Sequence, residues 1–216
     1  MRPAWLVLLL LTACAGSDSA ADTRADQVRA AADQAGLPEE VTDVLELAAR
    51  GAEGTFQVTY PGEEGASLVV SQAPPNRRID IVAGTVVTES RVFRDGVGYR
   101  CLPPEGEPGG ALECTRAQGA LQAPGAFTDE ALDTFTTGLA DARDDLDLTV
   151  ESRTIAGTKA TCLVAVPNAG PTDGTGPGVE TICLSPEGAQ LLLDAASERL
   201  VAETYTTDVP DGTFAV

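Results

Sequence analysis

Five cysteines and no histidine set the chemistry open to this 216-residue chain. Without histidine there is no Ser-His-Asp triad, no Cys-His pair, no His-ligated zinc and no histidine general base, which closes most hydrolytic mechanisms. The expected protein is therefore not an enzyme, with no catalytic residue and no cofactor. Four of the cysteines, Cys101, Cys114, Cys162 and Cys183, lie in the body of the chain. They lack the C-x2-4-C spacing of a zinc site, so no metal is expected, and as disulfide partners they admit three pairings. Three other stretches invite chemistry without carrying it. "DARDDLD", residues 141–147, concentrates aspartates but lacks the glycine and the bidentate glutamate of an EF-hand loop, and reads as a solvated helix end. "GTGPG", residues 174–178, has no Lys-Ser/Thr after it and reads as a loop. Arg77 and Arg78, beside Pro75, read as an exposed strand edge.

The elements around the cysteines choose among the pairings. From Thr55 the apolar period is 2: "TFQVTY" sets Phe56, Val58 and Tyr60 on one face. "ASLVVSQ", "RRIDIVAG", "TVVTESRVFRDG", "VGYRCLP" and "ALECTR" follow as further strands, with Asp95-Gly96 a two-residue hairpin signal. Strands joined by turns this short form an antiparallel meander, because parallel neighbours need long crossovers. Cys101 and Cys114 then flank one hairpin loop, and Cys162 and Cys183, in "KATCLVAVP" and "VETICLSPEG", flank another. The expected disulfides are thus Cys101–Cys114 and Cys162–Cys183. Helical spacing appears in residues 38–50, where Pro38 is a favoured first position and Val41, Val44, Leu45 and Ala48 make a stripe. A second helix is expected over 127–141, with Thr128 as N-cap and an apolar stripe through Leu132, Phe135 and Leu139.

The strands present one apolar face, made by Phe56, Val58, Leu68, Val70, Ile79, Ile81, Val86, Phe93 and Tyr99. If the two helices pack down on it, it is a core. If they stand off as a lid, the same nine residues line a cavity suited to acyl chains. The alternation admits both.

At the front of the chain, Arg2 precedes an apolar run, Trp5 to Leu11, far shorter than the roughly 20 residues of a membrane-spanning helix. Leu11-Thr12-Ala13-Cys14 after it resembles the lipobox of bacterial lipoproteins. That resemblance implies a signal peptide over 1–13 and acylation of Cys14 as the mature N-terminus. The protein would then sit on the extracytoplasmic face of the cell membrane, its partner there the bilayer, through a lipid anchor. An ordinary signal peptide with a cysteine near its cleavage site is the alternative. Residues 14–25, small and polar, read as a flexible tether, and 26–216 as a single domain. Export also places the four remaining cysteines where disulfides persist. The net charge of −19 argues against nucleic acid as a partner, since phosphate binding needs a basic footprint.

The order helix, "TFQVTY", "SLVVSQAPPNRRIDIV", "SRVFRDGVGYRC" and a second group of strands resembles the LolA-like lipoprotein carriers and the LppX/LprG-type surface lipoproteins. The resemblance covers most of residues 40–116. It implies an α+β fold in which a curved antiparallel sheet, a half-barrel, is covered by helices over a hydrophobic cavity. It also implies a carrier or binder of lipid or acyl chains at the cell envelope. The alternative is an anchored interaction module with a solid core and no ligand.

Overall fold

Pro38 and Gly36 divide the first helical stretch in two. The structure is a computed structural model that describes residues 20–107, 109–117, 125–168, 180–195 and 198–216. In it α1 (Ala20–Ala35) is stopped by Gly36 at φ 70°, a left-handed conformation that glycine adopts without steric cost. After this break comes α2 (Glu39–Arg50), with Glu39 and Glu40 in its first turn and Arg50 in its last, each complementing the helix dipole. Its buried stripe includes Val41, Val44, Leu45 and Ala48, as the spacing predicts. α1 begins inside the span read as tether, and residues 20–25 are helical. The reason is packing: Ala25, Val28 and Ala32 are buried at helical spacing, and Arg24 pairs with Asp129 and Asp133.

Six strands follow in a meander: β1 (Phe56–Pro61), β2 (Ala66–Ala73), β3 (Asn76–Ala83), β4 (Val86–Arg94), β5 (Val97–Leu102) and β6 (Glu113–Ala117). Each pairs antiparallel with the next. The Asp95-Gly96 turn joins β4 to β5 with φ 51° and 78°, the positive values a tight hairpin needs. β3 lies inside the sheet, so Arg77 and Arg78 are not an exposed edge. Arg78 chelates Asp80 at 2.8 and 2.9 Å and donates to the Thr213 carbonyl at 2.9 Å, fixing the C-terminal segment against this sheet.

α3 (Asp129–Ala142) opens on Thr128, whose Oγ1 accepts from the Ala131 amide at 3.2 Å. The aspartates of 141–147, from the last turn of α3 into the next strand, are all exposed. Then come β7 (Leu146–Ile155), β8 (Thr158–Pro167), β9 (Glu180–Leu184), β10 (Gln190–Ala195), β11 (Glu198–Val201) and β12 (Thr204–Thr206). β11 pairs with β10, and β12 with β1. One stretch of chain therefore belongs to two antiparallel sheets, of order β12-β1-β2-β3-β4-β5-β6 and β11-β10-β9-β8-β7. At the crossing, the Ala202 amide donates to Leu191 and the Glu203 amide to Thr59. The class is α+β, and the sheets are not closed into a barrel.

Burial divides into two clusters. One joins the three helices to Leu163, Ile182 and Leu184 of the five-stranded sheet. The other joins Phe56, Val58, Tyr60, Val70 and Ile79 to Cys162, Cys183, Leu191 and Leu192. β8 and β9 contribute alternate residues to both, which is why "CLVA" reads as a continuous apolar run. Among the described residues no helix is long and apolar enough to cross a membrane.

Candidate functional site

An apolar space lies under α3. A cavity of about 420 Å³ separates that helix from β7–β10, lined mainly by Phe135, Gly138, Leu139 and Ala142 above and by Leu146, Leu163, Ala165, Ile182 and Leu193 below. Thr134, Glu180 and Thr181 are its polar members. Thr134 and Glu180 are exposed, whereas Leu139, Leu163, Ala165, Thr181 and Ile182 are buried, so the polar rim gives way to an apolar interior.

The roof is fastened at both ends. Near its N-terminus, Arg24 of α1 donates to the Asp129 carbonyl at 3.0 Å and to Asp133 at 2.8 Å. At its C-terminus Arg143 donates to the Ala35 carbonyl, at the end of α1. Between these ties Phe135 stacks on Phe127, with ring centroids 5.6 Å apart. Gly138 stands in the middle of the helix, and nothing lies within 4 Å of where its Cβ would be. An alanine would favour the helix by about 1 kcal/mol more. Gly138 is itself exposed and lines the cavity, so it stands at the open edge of the space.

None of the nine residues assigned to a cavity by strand alternation lines this one. Phe56, Val58 and Val70 are 0 % exposed and Ile79 is buried, so this part of the face is packed solid. Leu68 is half-buried beside them. Ile81, beyond them, is 37 % exposed. Its neighbours across β4 and β5 are charged: Ile79 lies opposite Arg91 and Ile81 opposite Glu89, and Arg91 opposite Arg100. Hydrogen bonds from Arg100 and then Arg91 hold the Glu89 carboxyl below the usual carboxylate range. Phe93, opposite Arg77, and Val86, opposite Ala83, are half-buried on the same side. Tyr99 is on the other side. Phe93 pairs with Gly98, so the alternation passes to Gly98 and Arg100, and Tyr99 lies opposite Val92 and Arg116.

The cavity has a partial trace in the sequence. Leu146 opens the apolar alternation of β7, and Gly138 stands beside the α3 stripe of Leu132, Phe135 and Leu139. What strand alternation leaves open is which sheet the helices cover, a matter of contacts between residues far apart in the chain.

The four body cysteines form Cys101–Cys114 and Cys162–Cys183, with S–S distances of 2.02 and 2.10 Å across directly paired positions of β5/β6 and β8/β9. Cys14, the segment 1–13 and "GTGPG" lie outside the described residues. The polar groups buried beneath the first sheet are structural. The Tyr60 hydroxyl donates to the Gln190 carbonyl, and burial pushes it far above the ordinary tyrosine range, with the Arg77 guanidinium pulling the other way. Burial likewise lowers Arg77. Gln72 donates to the carbonyls of Gly51, Ala52 and Gly54 at 2.8, 3.1 and 3.0 Å, tying β2 to the turn after α2.

No protein family matches the chain, and no curated protein does. Among solved structures it is similar to a domain from Vibrio parahaemolyticus assigned to outer membrane lipoprotein sorting. The identity is 10 %, the match covers 79 % of this chain and 95 % of that one, and the TM-score is 0.25.

Proposed function

We propose that the chain is a cell-envelope lipoprotein, anchored through Cys14 on the extracytoplasmic face of the membrane, that binds a hydrophobic ligand under α3. In this reading the two sheets act as a LolA-like half-barrel and α1–α3 as its cover. The ligand is an acyl chain or lipid, and the protein holds it without chemically changing it. The observation that carries the reading is the 420 Å³ apolar space between α3 and the five-stranded sheet. Its size falls in the range of small-molecule pockets, about 300–1,000 Å³, as does its pattern of an apolar interior with few polar groups. The absence of histidine supports binding over catalysis.

A second reading, an anchored interaction module with a solid core, is favoured by the tight packing of Phe56, Val58 and Val70. Gly138→Trp separates the two. Gly138 lines the cavity and an added Cβ there meets nothing within 4 Å, so a ring can turn into the space without displacing packed atoms. Native mass spectrometry of protein gently purified from its own cells is expected to find lipid on wild type and none on G138W, with the melting temperature of the variant unchanged or raised. Wild type that carries no lipid and takes up no Nile red overturns the carrier reading in favour of the module. The anchor has its own control: Cys14→Ala is expected to move the protein from the membrane fraction into solution, and unchanged membrane retention overturns it.

A further inference from the structure

We infer that the cavity under α3 discriminates by head group, taking acyl lipids whose head is uncharged and hydroxyl-bearing and rejecting those with a carboxylate or phosphate head, with Glu180 as the residue that decides. The inference rests on reading the cavity as a lipid site and goes on to name what part of the lipid is read.

Among the described residues, the polar ones lining the cavity are Thr134, Glu180 and Thr181, with no lysine or arginine. Glu180 opens β9 at the exposed end of the cavity, and among the described residues it makes no ion pair. Thr134, the other exposed polar lining residue, has already given its hydroxyl hydrogen to the Glu130 carbonyl at 2.8 Å, so toward the cavity its oxygen can only accept. The rim therefore offers acceptors and a negative charge. A glycerol or sugar hydroxyl can donate to either group. A carboxylate or phosphate brings acceptors to acceptors and places like charge beside Glu180. The net charge of −19 adds a longer-range repulsion that slows the approach of any anionic amphiphile.

The test uses two ligands with one chain and different heads, dodecanoate and 1-monododecanoylglycerol, at pH 8, where the first is ionised. Each competes with Nile red, an uncharged reporter, on the purified body, with G138W as the control for dye bound outside the cavity. In wild type the monoacylglycerol is expected to displace Nile red at a concentration about tenfold below that of dodecanoate, equivalent to about 1.4 kcal/mol. Glu180→Gln keeps the shape and removes the charge, and should bring the two competitors within about threefold of each other by strengthening dodecanoate. Glu180→Lys should reverse the order. An exposed residue without an ion pair makes all three proteins foldable, which equal melting temperatures verify. If dodecanoate equals or beats the monoacylglycerol in wild type, or if E180Q leaves their ratio unchanged, head-group selection is overturned while the cavity reading stands. If Nile red binds G138W as well as wild type, or binds neither, the cavity reading itself falls and selection falls with it.

Discussion

The β1–β3 face and the helix-facing side of β7–β10 are made of the same kinds of residue at the same period, and they end in opposite states. On the first, Phe56, Val58, Tyr60 and Val70 are 0 % exposed. On the second, Leu146 and Leu193 are half-buried beside a 420 Å³ space. The difference lies in what covers them. The first face is closed by branched and aromatic side chains joined in one cluster with Leu191, Leu192 and the Cys162–Cys183 bridge. The second is roofed by a helix whose Gly138, at the open edge of the space, contributes no side chain to filling it. Apolar alternation specifies that a face will be covered. It does not specify how completely, because that depends on side-chain volumes contributed by distant segments.

The largest expected contrast is therefore between two phenylalanines. Phe56→Ala removes a fully enclosed ring and is expected to cost about 3–5 kcal/mol, since the transfer loss is joined by a new cavity. Phe135→Ala, half-buried at the edge of space already empty, is expected to cost about 1–2 kcal/mol, chiefly its share of burial. Urea unfolding of both variants checks this. Equal losses would mean that the two faces are equally packed.

The same contrast marks what could be read from the chain alone. The hairpins, the Thr128 cap, the α2 stripe and both cysteine pairs rest on interactions within some 20 residues, and the structure contains each of them. Tyr99 is within reach of the sequence: the two-residue Asp95-Gly96 turn sets Arg94 against Val97 and Phe93 against Gly98, which turns Tyr99 to the face opposite Phe93. Residues 20–25 look like tether because their composition is small and polar. They are held helical by Arg24, whose partners Asp129 and Asp133 lie more than a hundred residues away. The choice of sheet for the helices is of the same kind. It sent the expected cavity to Val58 and Val70, whereas the space lies over Leu163 and Ile182.

A smaller effect sharpens the packed side. Tyr60 is buried with its hydroxyl donating to Gln190, and burial raises its pKa in the folded state. The neutral form is thus the one the fold favours. The stability this contributes is complete below about pH 10, the ordinary tyrosine value, and is lost as pH rises from there toward the raised folded value, because the unfolded chain releases its proton first. Tyr60→Phe is expected to cost about 1–3 kcal/mol at neutral pH by leaving the Gln190 carbonyl unpaired. It should also make the decline between pH 9 and 10.5 shallower, with Tyr205, raised by burial and by its bond to Glu187, accounting for much of the remaining slope. Denaturant midpoints across that range measure both. A decline as steep in Y60F as in wild type would show that Tyr60 is not enclosed as described.

The smallest effect has the opposite sign and tests the loose side. Gly51 and Gly138 both lie at helices, but an added Cβ at Gly51 would stand 2.3 Å from the Gly188 carbonyl oxygen, backbone against backbone. At Gly138 it would meet nothing within 4 Å. Gly51→Ala must therefore push two segments apart, and a loss of stability follows. Gly138→Ala introduces no clash, and alanine loses less backbone freedom on entering a helix than glycine does. A gain of about 0.5–1 kcal/mol is expected, seen as a small rise in melting temperature. A methyl group is too small to fill 420 Å³, so G138A should keep its ligand while G138W loses it. The pair thereby separates helix propensity from cavity volume. If G138A is instead less stable than wild type, the space beneath α3 is already occupied by packed side chains, and the contrast between the two faces disappears.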